Sequence, residues 1–134
     1  MWDSITWKPK YELHPLKAKY MFSSFPASVE KNSIIDLDTY CKKHNIILDF
    51  SQTTDLSYCF NGSKLEIIPE VDCSSSSNLT WTFYSCPNLH TITKLIFSES
   101  IANYSMNNTW TRSTNLQNIV FEGKINSIDT PMML

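Results

Sequence analysis

Apolar side chains recur along this chain with a period longer than any helix or strand. Phe60, Phe83 and Trp110 each follow an apolar residue by four positions, namely Leu56, Leu79 and Met106. A small residue comes three positions after each ring: Ser63, Cys86 and Ser113. Then come Leu65, Leu89 and Leu116, and three positions later Ile68, Ile92 and Ile119. A further step of three gives Val71, Leu95 and Glu122. The spacing between units is 23–24 and then 27 residues, within the range of short structural repeats. The stretches SKLEIIPEV, NLHTITKLIF and NLQNIVFEG are rich in β-branched residues and predict short strands. The Leu/aromatic stretch before each predicts a short helix or turn. One such unit cannot bury its own apolar face, whereas stacked units can, with strand beside strand in parallel and ring above ring. Pro69 and Pro87 fall at unit edges, where a missing N–H is tolerated, and Cys73–Asn78 reads as a connecting loop.

A degenerate unit precedes these three. Ala18–Ser24 matches the turn half, with Phe22 in the ring position, and Asn45–Ser51 matches the strand half. Between them, Asp36 or Asp38 can cap a helix of about two turns. Lys42, Lys43 and His44 suit its C-terminal end, and Asn45 can stop it. The expected fold is α/β: a short leucine-rich-repeat stack with a small parallel sheet and short helices or turns on the other side. Trp2, Trp7 and Tyr11 would close its first edge as an aromatic cap. All 134 residues form one domain in this reading: cap and degenerate unit at 1–53, three repeats at 54–125, and a tail at 126–134.

Composition narrows the possible partners. Net charge is −2, with no basic stripe for nucleic acid, so nucleic-acid binding is disfavoured. Residues 54–134 carry four Lys/Arg against seven Asp/Glu, a mildly acidic half. Cys41, Cys59, Cys73 and Cys86 lack the paired spacing of a zinc site, and a chain this apolar has no need of disulfide staples. Free buried thiols are expected. No apolar run reaches the ~20 residues that span a bilayer, and the opening MWDSITWKPKYELHP is not built like a signal peptide. A soluble protein of the cytoplasm is expected, with no membrane partner.

The repeated ring, small residue, Leu and Ile resemble the BspA-like leucine-rich repeat. The ordered pieces WKPKYELHPLKAKYMF, ILDFS, YCF, GSK, TFYSC and LQNIVFEGKI are similar to leucine-rich segments of phage and prophage minor structural proteins. The resemblance runs from Trp2 to Ile125. It implies a phage or prophage source and a non-enzymatic protein-binding module. The partner would be a host factor or a phage structural protein. Two roles fit: a small free-standing inhibitor of a host defence protein, of the anti-CRISPR kind, acting in the bacterial cytoplasm, or a piece of a tail or virion protein that recognises a host surface. A chain that opens on its own Met, is short and lacks an export signal favours the first; the length of the resemblance favours the second.

Catalytic chemistry is sparse. The only His residues are His14, His44 and His90; His44 suits a helix end, His90 has no acid close in sequence, and two Gly cannot build a phosphate loop. Cys86 shares its slot with Ser63 and Ser113, which makes it a small core residue rather than a nucleophile. No cofactor and no metal are expected. Lysines beside Trp2, Trp7 and Tyr11 could hold a single strand, but a cap is the better reading.

What parallel strands offer is an outward face. Ile67, Thr91 and Asn118 form one column of partner-binding candidates. Pro69, Thr93 and Val120 form the next, with Glu70, Lys94 and Glu122 nearby. The last unit exposes the edge that earlier units bury. The region around Trp110, Leu116, Ile125 and Ile128 is therefore expected to bind a partner or to self-associate into a homo-oligomer, with Met132, Met133 and Leu134 available to cover it.

Overall fold

The repeated turn segments are not helical, because each contains two residues with left-handed backbone. These are Tyr20 and Ser24, Tyr58 and Gly62, Trp81 and Ser85, and Asn108 and Arg112, at φ between +53° and +71°. Such pairs sit two positions before and two after each ring, so the four segments share one geometry. The structure, a computed structural model, describes residues 11–24 and 36–129. A non-glycine residue in this region costs about 1–2 kcal/mol. Bonds between units offset that cost. Tyr58, Phe60 and Gly62 donate their N–H to Thr80, Thr82 and Tyr84. Trp81, Phe83 and Ser85 in turn donate to Asn107, Thr109 and Thr111. Phe22 and Ser24 bond to Cys59 and Asn61 in the same way. Asx turns start two of the segments: Asp55 accepts from the N–H of Ser57 and Asn78 from that of Thr80, both at 3.0 Å.

The rings then stack in one column. Phe22 lies over Phe60 at 5.2 Å, Phe60 over Phe83 at 5.6 Å and Phe83 over Trp110 at 6.5 Å, with interplanar angles of 7°, 13° and 7°. Leu56, Leu79 and Met106 are buried beneath them. A second ladder ties side chains to the preceding unit. Thr82 and Thr109 donate to the carbonyls of Leu56 and Leu79 at 2.9 and 2.8 Å, and Cys86 Sγ donates to that of Phe60 at 3.1 Å. The small residue after each ring is thus selected by size and by a hydrogen-bonding tip.

Among the described residues all strand pairing is parallel. Strand β1 (Tyr11–Leu13) is followed by helix α1 (Leu37–Lys43) and then by β2 (Ile46–Leu48), β3 (Ile67–Ile68), β4 (Val71–Asp72) and β5 (Thr91–Ile96). After these come β6 (Tyr104–Ser105), β7 (Asn118–Glu122) and β8 (Ile128–Asp129). Strand β5 is central, with β3 and β4 along one side and β7 along the other; β1 pairs β2, and β6 pairs β8. Ile68, Ile92 and Ile119 are in register, as are Val71 and Leu95. Leu65 and Leu89 are fully buried; Leu116 and Ile119, at the end of the ladder, are half-buried.

Two expectations need correcting. Glu122 does not occupy the last Leu position. The β5–β7 register shifts between Ile92 and Leu95, so Leu95 faces Phe121 and Glu122 faces Ile96. Asn45–Ser51 does not supply the strand beside Ile67. Asp36 takes that place through a parallel bridge, and α1 leaves from there, so β2 emerges beside β1 instead. Of the helix or turn expected in each repeated half the turn forms, and α1 is the one helix among the described residues. Asp36 caps it, accepting from Thr39 N at 3.0 Å; His44 closes it, and Asn45 leaves at φ +56°. Of the proposed cap, Trp2 and Trp7 lie outside the described residues, and Tyr11 is exposed on β1.

The four thiols are free and buried. Burial pushes the Cys86 thiol up to about 11, outweighing the hydrogen bonds that favour its anion. At pH 7.5 it is therefore neutral and shielded. We expect a thiol reagent to leave Cys86 unmodified in the native protein and to label it on denaturation. Labelling of Cys86 in the folded chain within minutes would contradict the packing.

Candidate functional site

The outward face forms only in part as the sequence suggests. Ile67, Thr91 and Asn118 are directly paired neighbours. Ile67 and Thr91 are half-buried, and Asn118 is exposed, its amide 3.4 Å from Thr91 Oγ1. Thr93 and Val120 are exposed, but Pro69 is buried, so it drops out of the contact surface. The Pro69 ring sits in the short gap between β3 and β4, where its missing N–H costs nothing. Lys94 reaches two carboxylates, Glu122 at 3.5 Å and Glu70 at 3.9 Å. All three side chains are substantially solvated, so the cluster shapes the surface charge more than it stabilises the fold.

The terminal edge differs from expectation at its centre. Trp110 is only 7% exposed and is therefore not available to a partner. Phe121 stands edge-on against it at 6.2 Å, and Phe83 covers its other side. Among the described residues its Nε1 has no hydrogen-bond partner, a cost the terminal unit carries. The exposed members are Val120 at 54%, Phe121 at 55% and Ile128 at 39%. Ile125 is half-buried. Phe121 is the residue that pattern reading missed. The register shift moves it to the core-facing side of β7, where no further unit covers it among the described residues.

Next to this edge lies a polar cleft of about 410 Å³, lined by Glu66, Asn88, His90, Asn115 and Gln117. These residues flank the Leu65, Leu89 and Leu116 ladder, so equivalent positions of successive units meet. His90 does have an acid nearby, although not in sequence: Glu66 Oε1 lies 3.6 Å from Nε2. Its Nδ1 is 2.8 Å from Thr91 Oγ1. Asn88 and Asn115 donate their amide N–H to carbonyls of the preceding unit, Lys64 at 3.4 Å and Pro87 at 2.6 Å. The sequence signal for the cleft was the recurrence of polar residues on either side of each ladder Leu.

Two other features are present. Tyr20, Tyr58, Trp81 and Tyr84 form an outer row of rings 4.0–5.5 Å apart. Trp81 therefore belongs to this half-buried row and not to the core column, because its left-handed backbone turns it outward. An apolar cavity of about 190 Å³ lies between α1 and the first strands, lined by Leu37, Tyr40, Cys41 and Ile46 among others. Among the described residues no three His, Cys, Asp or Glu side chains could share a metal ion, and no helix is long and apolar enough to cross a membrane. In comparisons with protein families, curated proteins and solved structures, nothing matches this chain.

Proposed function

We propose that this chain is a BspA-like leucine-rich-repeat solenoid of phage or prophage origin that binds another protein and catalyses no reaction. One observation carries the reading. Among the described residues strand β7 is paired on one side only, and it presents Val120 and Phe121 more than half exposed, with Ile128 on β8 also exposed. Exposed apolar side chains along a sheet edge are costly in water and are the kind of surface that partners cover. The stacked backbone ladders and aromatic column support the solenoid part of the reading. The role we favour is a small inhibitor of a host defence protein, anti-CRISPR-like, working in the bacterial cytoplasm. A tail-type structural segment is the second reading, favoured by a resemblance that spans Trp2 to Ile125.

The test is capture from lysate of a bacterial host carrying a defence system. It compares the native chain with Val120→Asp and Phe121→Asp, both at exposed positions. A partner retained by the native chain and lost at least tenfold by both variants is the expected result. Capture that survives both substitutions would sink the proposed surface. A molar mass that rises with concentration and falls in both variants would make the partner a second copy.

A further inference from the structure

The cleft beside β7 has a chemistry of its own. Asn88 and Asn115 each place an amide N–H on the unit before them. A primary amide is planar, with its oxygen and nitrogen on opposite sides of the carbonyl carbon, so fixing the nitrogen inward leaves the oxygen as the group on offer. Among the described residues no other hydrogen bond engages either side chain. Glu66 adds a carboxylate that is not within bonding distance of His90, since 3.6 Å is too long for a hydrogen bond. Gln117 adds a third amide. Among the described residues no Lys or Arg lines the cleft; Lys64 adjoins it through the carbonyl that Asn88 holds, and Lys94 is held between Glu70 and Glu122. The face as a whole sets Glu66, Glu70 and Glu122 against Lys64 and Lys94.

An acceptor-rich cleft with one negative charge suits a planar cation with several donors. A guanidinium has five N–H groups in a rigid fork and pairs with a carboxylate through two of them. Arg is also among the side chains that most often anchor interfaces. We propose that this cleft receives an arginine side chain from the protein that covers β7. This rests on the protein-binding reading given above. Position supports it, because Gln117 precedes Val120 by three residues, a span of about 10 Å along a strand.

The test needs no partner. The probe is N-acetyl-arginine amide, compared with the isosteric neutral N-acetyl-citrulline amide and with maltose, followed by the side-chain amide signals of Asn88, Asn115 and Gln117 in proton–nitrogen NMR at pH 7.5. Saturable shifts with the arginine compound, at least fivefold weaker with citrulline, are expected. Glu66→Gln should remove that preference, while Glu70→Gln should keep it. Equal response to arginine and citrulline, response to maltose alone, no response, or an unchanged preference in Glu66→Gln would each overturn the assignment. Such a failure leaves capture through Val120 and Phe121 standing. Loss of that capture reading with arginine binding intact would instead isolate the fault in the protein-binding proposal.

Discussion

Phe83→Ala should lower the stability of the fold by about 3–5 kcal/mol, the upper range for truncating a buried ring. Phe83 is fully buried, with Phe60 on one face and Trp110 on the other. Its neighbours cannot close the gap, because backbone bonds on both sides hold the spacing between units. Phe60 N bonds to Thr82 O at 2.8 Å and Phe83 N to Thr109 O at 2.9 Å. A cavity therefore remains, and every atom lining it loses a partner. For a domain of this size the change corresponds to a fall in Tm of more than about 10 °C. Phe121→Ala is the internal control. Its ring is more than half exposed, and its loss should cost under about 1.5 kcal/mol. Thermal unfolding of the two variants, side by side, checks both numbers. A Phe83→Ala protein that melts within a few degrees of the parent would show that the ring column does not carry the stack.

Much of this architecture was legible because the unit repeats. The Phe22, Phe60, Phe83 and Trp110 column and the Leu and Ile ladders could be read from spacing, and capping chemistry narrowed the start of α1 to Asp36 or Asp38. The turn geometry could not. Left-handed backbone at Tyr20, Tyr58, Trp81 and Asn108 has no glycine to announce it. It follows from the requirement that alternate N–H groups reach the next unit, which is a property of the stack and not of the segment. The displaced β2 has a similar cause: a helix inserted at Asp36 redirects the chain, and sequence similarity to a strand half says nothing about which sheet receives it.

The candidate site was legible in outline only. Column membership was right where registers run unbroken, at Ile67, Thr91 and Asn118. It failed beyond Ile92, where β7 spans the gap to the Leu95 level with one residue fewer than β5. That single shift carries Phe121 into the Leu column and Glu122 past it, and puts Phe121 in place of Trp110 at the exposed edge. It also buries Trp110, since Phe121 now lies across it. The cleft was missed because its members belong to two columns separated by a Leu, and only the fold shows that the gaps align.

Gly123 ends β7, and there the largest local effect of any exposed position is expected. Its φ is +91°, and a Cβ would lie 2.1 Å from the carbonyl oxygen of Phe97 and 3.0 Å from its carbonyl carbon. These are backbone atoms, so they cannot swing aside as a side chain could. Phe97 is also tied to the strand just before the glycine, its N–H donating to Glu122 O at 2.9 Å. Gly123→Ala must therefore break that bond or pull the end of β7 off β5, in addition to straining the backbone. The expected loss is at least about 2 kcal/mol, with faster hydrogen exchange at the Phe97 amide. Gly62→Ala is the contrast. There φ is +71°, but the nearest atom to a new Cβ is Ser24 Oγ at 3.5 Å, and Ser24, Ser85 and Arg112 fill the same place in the other units. It should cost about 1 kcal/mol, the backbone term alone. Urea unfolding of both variants decides the matter: equal losses, or a Gly123→Ala chain as stable as the parent, would mean that β7 is not held against β5 at its C-terminal end.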